Sequence, residues 1–426
     1  MLGLMDIEWY KRKKELQPEQ LDKTSEKRSI GQTSHGNSKM NKLRYATALA
    51  GIAAIALPSS VGYSSAEEYK IGAAMALTGA LAPYDQPGLA GFKLGIKDLN
   101  AKGGIGGLAT VTLEVIDTRS DTAATVNAAQ KLIDDGVKFL ITPGDADPSI
   151  AAGQIGQAAG IPMLNLAGSP SLTPAVGDYM FISYPSDTVQ SAALASYASE
   201  TGYKTAFLLK SPDSAYTSKF PDYFGETFKK KGGSVVGEAS YSMGQPDFSA
   251  VVSQIKGLTP QPDVIMTTAY EPDFPAFIKQ LRGAGVKIPV IESDAIGTPT
   301  VYGLGSVVDG VVQSSAGFPT PGSGMEAFNK RFKEETGHDA ETSYEAAGYE
   351  WAQLLDAAAR KAGSLEPAKI RDALASLEDV QTVLGKVTYA GTERVALRDV
   401  AMIRIEGGKP TFVKLYRPTK EEIPNP

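Results

Sequence analysis

Cysteine is absent from all 426 residues. That excludes disulfides, thiolate metal sites and a thiol nucleophile, together with a lipid-modified cysteine at a secretion cleavage site. Histidine is almost as scarce, with His35 and His338 the whole supply. His338 stands beside Gly337 after a charged helical stretch and reads as a capping or surface residue rather than a base. There is no G-x-S-x-G elbow, no H-E-x-x-H and no Walker loop. Hydrolytic, zinc-dependent and nucleotide chemistry therefore lack their usual carriers, and the expectation is a protein that is not an enzyme and holds no cofactor or metal. Glycines 103, 104, 106 and 107 follow a helical pattern and precede a strand, the reverse of what phosphate cradling by a helix N-terminus needs. They read as a turn.

Positive charge is in deficit. Ten of the 42 Lys/Arg and six of the 48 Asp/Glu fall in residues 1–66, so the rest of the chain carries a net charge of −10. An acidic balance without a basic patch argues against nucleic acid as a partner. The apolar segment Tyr45–Leu57 falls short of the roughly 20 residues of a membrane span. Lys42 and Arg44 precede it, and Pro58 and Ser64-Ser65-Ala66 follow. That is the layout of a secretory signal peptide over residues 40–66, with translation expected from Met40 and a mature exported chain from near Glu67. Residues 1–39 are polar, lack apolar periodicity and are assigned no fold.

What is abundant is alternation of strand and helix patterns. Ile71–Leu77 is a short apolar run, Thr78 to Pro87 reads as a loop, and Leu89, Phe92, Ile96 and Leu99 then recur at helical spacing. A second strand, Thr110 to Asp117, completes a βαβ unit. The same alternation runs on to a strand at Tyr179–Ser183, and a second series follows from Thr205 to Glu292. Two series of this length imply an α/β fold of two doubly wound, Rossmann-like lobes. The helices expected at Gly324–Glu335 and Tyr344–Lys361 lack strands for a lobe of their own and should return to cover the first.

In open α/β sheets ligands lie beyond the carboxyl ends of the strands. Polar and aromatic residues collect there: Tyr84, Ser169, Tyr216, Tyr270 and Asp294. Each alone has an ordinary explanation as a loop or cap residue. Together they describe a cleft with aromatic walls, a carboxylate, and helix N-termini for an acceptor. Asp145 and Asp147 lie close together without other metal-ligand spacing, and Asp147-Pro148 has the form of a helix N-cap followed by proline.

The stretches Leu77–Gly107 (LTGALAPYDQPGLAGFKLGIKDLNAKGGIGG), Asp117–Ile141 and Ile161–Thr173 (IPMLNLAGSPSLT) resemble the extracytoplasmic solute-binding proteins of ABC importers. The likeness is to the branched-chain amino acid (Leu/Ile/Val) binding family of type I periplasmic binding proteins. The resemblance implies lobes crossed three times, near Ser183-Tyr184, Ser314–Gly317 and Tyr389–Thr392, with a solute trapped by hinge closure. It implies an N-terminal lobe of residues 69–184 with 317–390, a C-terminal lobe of 185–316 with 391–417, and a loose tail at 418–426.

Carried over by position, Tyr84 is the first-lobe aromatic wall, while the main chain of Ala167 and the hydroxyl of Ser169 hold the ligand's polar head. Tyr216 and Tyr270 form the second-lobe lid, and Asp294 faces an ammonium. One departure concerns the turn after the third strand. Amino-acid binders usually show Ser-Ser there for the ligand carboxylate, whereas this chain has Pro143-Gly144-Asp145-Ala146-Asp147. An aspartate there would repel a carboxylate, which leaves Asp145, Ala146 and Ser149 as further candidates, with Ser149 and backbone N–H groups able to serve. The implied partners are a small polar solute, an amino acid or relative, and the membrane subunits of an ABC permease, with the receptor itself a monomer. The alternative is a sensor of the same fold for amides, urea-like compounds or aromatic acids that signals to a receptor.

Overall fold

The computed structural model describes residues 67–426. The extension and export segment expected before Glu67 lie outside the described residues. The chain opens with β1 (Glu67–Met75), α1 (Ala82–Ala101), β2 (Ala109–Asp117), α2 (Thr122–Asp134) and β3 (Phe139–Ile141). Next come α3 (Ala146–Ala159), β4 (Met163–Asn165), α4 (Leu172–Val176) and β5 (Met180–Ile182). The five strands form one parallel sheet in the order β2-β1-β3-β4-β5. Strands β3, β4 and β5 are buried at every residue, as expected of parallel strands covered on both faces.

The second series comprises α5 (Asp187–Thr201), β6 (Thr205–Lys210), α6 (Ala215–Lys230), β7 (Ser234–Ser240) and α7 (Ser249–Gly257). It continues with β8 (Val264–Thr267), α8 (Asp273–Gly283), β9 (Val290–Glu292), α9 (Pro299–Tyr302) and β10 (Val312–Ser315). After α10 (Gly324–Thr336), α11 (Tyr344–Ala362) and α12 (Pro367–Ala375), a small hairpin pairs β11 (Val380–Thr382) with β12 (Gly385–Val387). Then β13 (Val400–Glu406) and β14 (Lys409–Tyr416) join the second sheet antiparallel, giving the order β14-β13-β10-β9-β8-β6-β7. Strand order reverses at β1/β3 in one sheet and at β6/β8 in the other. The carboxyl ends beside those reversals are where an open α/β sheet leaves a crevice.

Helix α1 departs from expectation. It begins at Ala82, so Tyr84 lies in its first turn rather than in a loop, and Pro87 sits inside it. Pro83, near the helix start, gives up an N–H that no turn would use. The buried Asp85 carboxylate accepts the Ala76 N–H at 2.7 Å and the Gly144 N–H at 2.8 Å, pinning that turn to β1 and to the loop after β3. Tertiary anchoring thus overrides the helix-breaking tendency of Pro87. Helix α12 was not expected either; its buried contribution is only Ile370, Ala373 and Leu374, too brief for clear periodicity. The turn after α1 is as expected: Gly104 has φ +84°, and a Cβ there would lie 1.9 Å from the Ala109 carbonyl oxygen.

Helix α11 returns onto the first sheet. Trp351, Leu354 and Leu355 join Phe92, Phe139 and Phe181 in one buried cluster. The close approach of α1 and α11 depends on a face of α1 made of Gly88, Gly91 and Gly95, distinct from its apolar stripe. A Cβ on Gly91 would lie 1.7 Å from Glu345 O, and one on Gly348 would lie 1.8 Å from Gly88 O. Because backbone rather than a flexible side chain is in the way, Gly91→Ala must push the helices apart. The expected cost is about 3 kcal/mol, at the upper end for overpacking, read as a lowered urea midpoint with an unchanged slope.

The connections between the sheets run through residues 183–186, 316–323 and a third strand of chain. There the structure differs from expectation. Ile182 N–H donates to Arg394 O at 3.0 Å and Ala396 N–H to Ile182 O at 2.9 Å, so the chain still follows the first sheet's edge at Val395. It leaves between Ala396 and Val400, later than Tyr389–Thr392. The end of the chain is not loose either. Lys231 Nζ pairs with Glu422 at 2.5 Å, the Thr227 hydroxyl donates to Glu422 O at 3.1 Å, and Pro424 is buried.

Candidate functional site

One cavity lies where the carboxyl ends of the two sheets meet. From the first sheet's side come Tyr84 of α1, Gly144, Asp145 and Ala146 at the start of α3, and Leu166 to Ser169 after β4. From the other side come Tyr216 in the first turn of α6, Tyr270 after β8, and Asp294 and Ala295 after β9. Tyr184, Asp187 and Gln190 reach in from the first connection and α5, and Tyr344 from the first residue of α11. Every one of Tyr84, Ala167, Ser169, Tyr216, Tyr270, Asp294, Asp145 and Ala146 lines this cavity. Ser149 does not. Its hydroxyl turns inward, donating to Pro143 O at 2.6 Å and lying within hydrogen-bond distance of Thr142 Oγ1 at 3.1 Å.

The tyrosines touch one another around the space. Tyr216 and Tyr270 stack at 5.3 Å between centroids, Tyr84 lies 6.0 Å from Tyr270 and 5.7 Å edge-on to Tyr344, and Tyr184 lies 5.7 Å from Tyr344. Two hydroxyls, those of Tyr344 and Tyr270, reach across the cavity. Tyr344, on a helix packed against the first sheet, donates to Asp294 Oδ2 at 3.0 Å, and Tyr216 donates to Asp294 Oδ1 at 3.2 Å. In the opposite direction Tyr270, after β8, donates to Asp145 Oδ2 at 2.8 Å. The two sides of the cleft are therefore latched by at least two hydrogen bonds to carboxylates, the stronger kind.

Helix α3 is capped differently from expectation. Asp145, not Asp147, is the N-cap, accepting the Asp147 N–H at 3.2 Å, while Asp147 itself points to solvent. Asp145 thus stays in the wall with one oxygen on the helix start and the other on Tyr270. His338, the described histidine, lies at the surface near Asp339 and away from the cavity.

Electrostatically the site is one-sided. Asp145, Asp187 and Asp294 line it, and among the described residues no Lys, Arg or His does. Burial raises all three carboxyls above the usual range; for Asp187 the charges of Asp294 and Asp145 add to the effect, and for Asp294 the Tyr344, Gln190 and Tyr216 hydrogen bonds oppose it. Behind them Glu292 is raised by burial, and Asp85 is pushed up to about 7 by burial despite its two backbone donors. Asp187, Gln190, Tyr184 and Tyr344 were not anticipated. Asp187 at a helix start looks like any N-terminal acid, and Tyr344 belongs to the segment that returns from the other sheet, so neither carried a local signal.

Two doubly wound sheets facing each other across a cavity with wall residues from both define a two-lobed ligand-binding protein. The chain belongs to the periplasmic binding protein family, whose model matches residues 68–409. It is 25% identical over 342 residues to the Leu/Ile/Val-binding protein BraC3 of Rhizobium johnstonii, covering 80% of this chain and 92% of that one. The fold is similar to that of the branched-chain amino acid transporter substrate binding protein LivJ of Streptococcus pneumoniae in complex with isoleucine. There the TM-score is 0.75 at 23% identity, over 83% of this chain and 100% of the other. A solute binding protein of an ABC transporter from R. palustris in complex with benzoate matches with TM-score 0.72 at 19% identity, over 82% of this chain and 96% of that one.

Proposed function

We propose that this protein is the exported substrate-binding component of an ABC importer, which captures a small polar organic solute, an amino acid or a relative, and delivers it to the membrane subunits. The observation that carries the reading is the cavity itself, whose walls come from both sheets and whose latches, Tyr344 to Asp294 and Tyr270 to Asp145, run from one side to the other. A solute touching both walls favours the shut arrangement over an open one, because only the shut one offers both sets of contacts. Tyr84, Tyr216 and Tyr270 enclose the solute, Ala167 and Ser169 meet its polar head, and Asp294 and Asp145 meet groups that donate hydrogen bonds. Nothing in this arrangement requires a bond to be made or broken; the work is recognition and closure. The relatives' names specify leucine, isoleucine and valine binding, which places those relatives at the amino-acid end of the range.

Solution scattering with and without solute tests the reading. The radius of gyration of the solute-free protein should fall on addition of the bound compound, and the melting temperature should rise with its concentration. Solute binding with no change in compactness would remove hinge closure from the account.

A further inference from the structure

Resting on the solute-capture reading above, we infer that the ligand is a net organic cation, an amine bearing no free carboxylate, whose ammonium sits inside the tyrosine enclosure and donates to Asp187. Three observations lead there. First, among the described residues the cavity wall carries the carboxyls of Asp145, Asp187 and Asp294 and no basic side chain. Second, Asp187 is 2% exposed, yet its Oδ1 has no hydrogen-bond partner among the described residues. A buried carboxyl without a donor is costly, and because Asp187 is one of the cavity's lining residues, a ligand N–H that reached this carboxyl would offset the cost. Third, Tyr84, Tyr216, Tyr270 and Tyr344 face the same space with centroids 5.3 to 6.0 Å apart along the chain of neighbours. Aromatic faces around a cavity attract cations through their quadrupoles.

The places where an amino acid's carboxylate would go are taken or hostile. The amino end of α3, an anion site by its dipole and free N–H groups, is already occupied by the Asp145 carboxylate. Ser149 has turned its hydroxyl to the backbone. Along Ala167–Ser169 the neighbour is Asp187 itself: Gly168 is so close that a Cβ there would lie 2.5 Å from Asp187 Oδ1. A second carboxylate laid against that strand of chain would meet an anion at short range, and like charges in a desolvated wall repel strongly.

Isothermal titration of the solute-free protein with three compounds sharing one branched skeleton tests the inference: leucine, 3-methylbutylamine and 4-methylpentanoate. The amine should bind at least tenfold more tightly than leucine, and the acid should give no heat. Asp187→Asn, close to isosteric and without the charge, should weaken the amine at least tenfold while leaving the melting temperature of the free protein unchanged or raised. Leucine binding as tightly as the amine, or an Asp187→Asn variant with wild-type affinity for the amine, would overturn the cation assignment while leaving solute capture standing. Failure of all three compounds, and of a linear diamine, to bind or to compact the protein would overturn both.

Discussion

Asp294→Ala is expected to weaken solute binding by about 2 to 4 kcal/mol, the range for removing one partner of a buried, charge-assisted contact. That is about 30- to 700-fold in dissociation constant. Two losses combine. The solute's donor group loses its counter-charge, and Tyr344 and Tyr216 lose the acceptor that joins the two walls. The free protein should respond in the opposite direction. Burial raises the Asp187 and Glu292 carboxyls above their normal range and the nearby Asp294 charge adds to it, so removing that charge relieves repulsion and the melting temperature of the solute-free form should hold or rise. Titration calorimetry beside thermal unfolding of the same variant separates the two effects. Unchanged affinity would take Asp294 out of the site.

The largest effect on stability is expected at a buried ion pair. Arg398 and Glu350 are 1% and 0% exposed, with Arg398 Nη1 2.6 Å from Glu350 Oε2. The same guanidinium donates to Ser183 O at 2.8 Å and to Leu384 O at 3.3 Å, while the Thr382 hydroxyl donates to Glu350. Trp351 Nε1 donates to the Ser183 hydroxyl at 2.9 Å. Ser183 begins the first connection between the lobes and Arg398 lies in the third, so this pair ties two crossings to helix α11. Glu350→Ala leaves a buried guanidinium without its anion and should cost about 3 to 5 kcal/mol in chemical denaturation. Arg398 Nε already lacks a partner among the described residues. The double variant Arg398→Met with Glu350→Leu should regain most of that loss, since two apolar side chains need no desolvated charge. A single Glu350→Ala variant as stable as wild type would show the pair to be solvated.

The clearest element of the sequence was its alternation. Strand β6 at Thr205–Lys210 coincides with its expected run, because its buried apolar core, Ala206 to Leu209, is bounded on both sides by polar residues. The cavity tyrosines at 84, 216 and 270 were legible because each follows a strand end, where an open sheet places its ligand groups. Tyr344 and Asp187 were not, because their roles depend on which distant segment packs beside them. The glycine face of α1 was read only as spacing between apolar residues; its function became visible once α11 lay against it at backbone distance. Pro87 shows the reverse failure, a correct local rule overruled by the two hydrogen bonds that Asp85 accepts from outside its own helix.

By itself the sequence determined the class of fold, the strand ends beyond which ligand groups collect, and the exclusion of thiol chemistry. These follow from periodicity and from which reactive groups exist at all. Only the tertiary structure decided which carboxyls share one cavity, that Asp147 turns to solvent while Asp145 stays in the wall, and that no basic side chain of the described residues joins them there. Those are statements about distances between residues far apart in the chain, and charge interacts through space rather than along sequence.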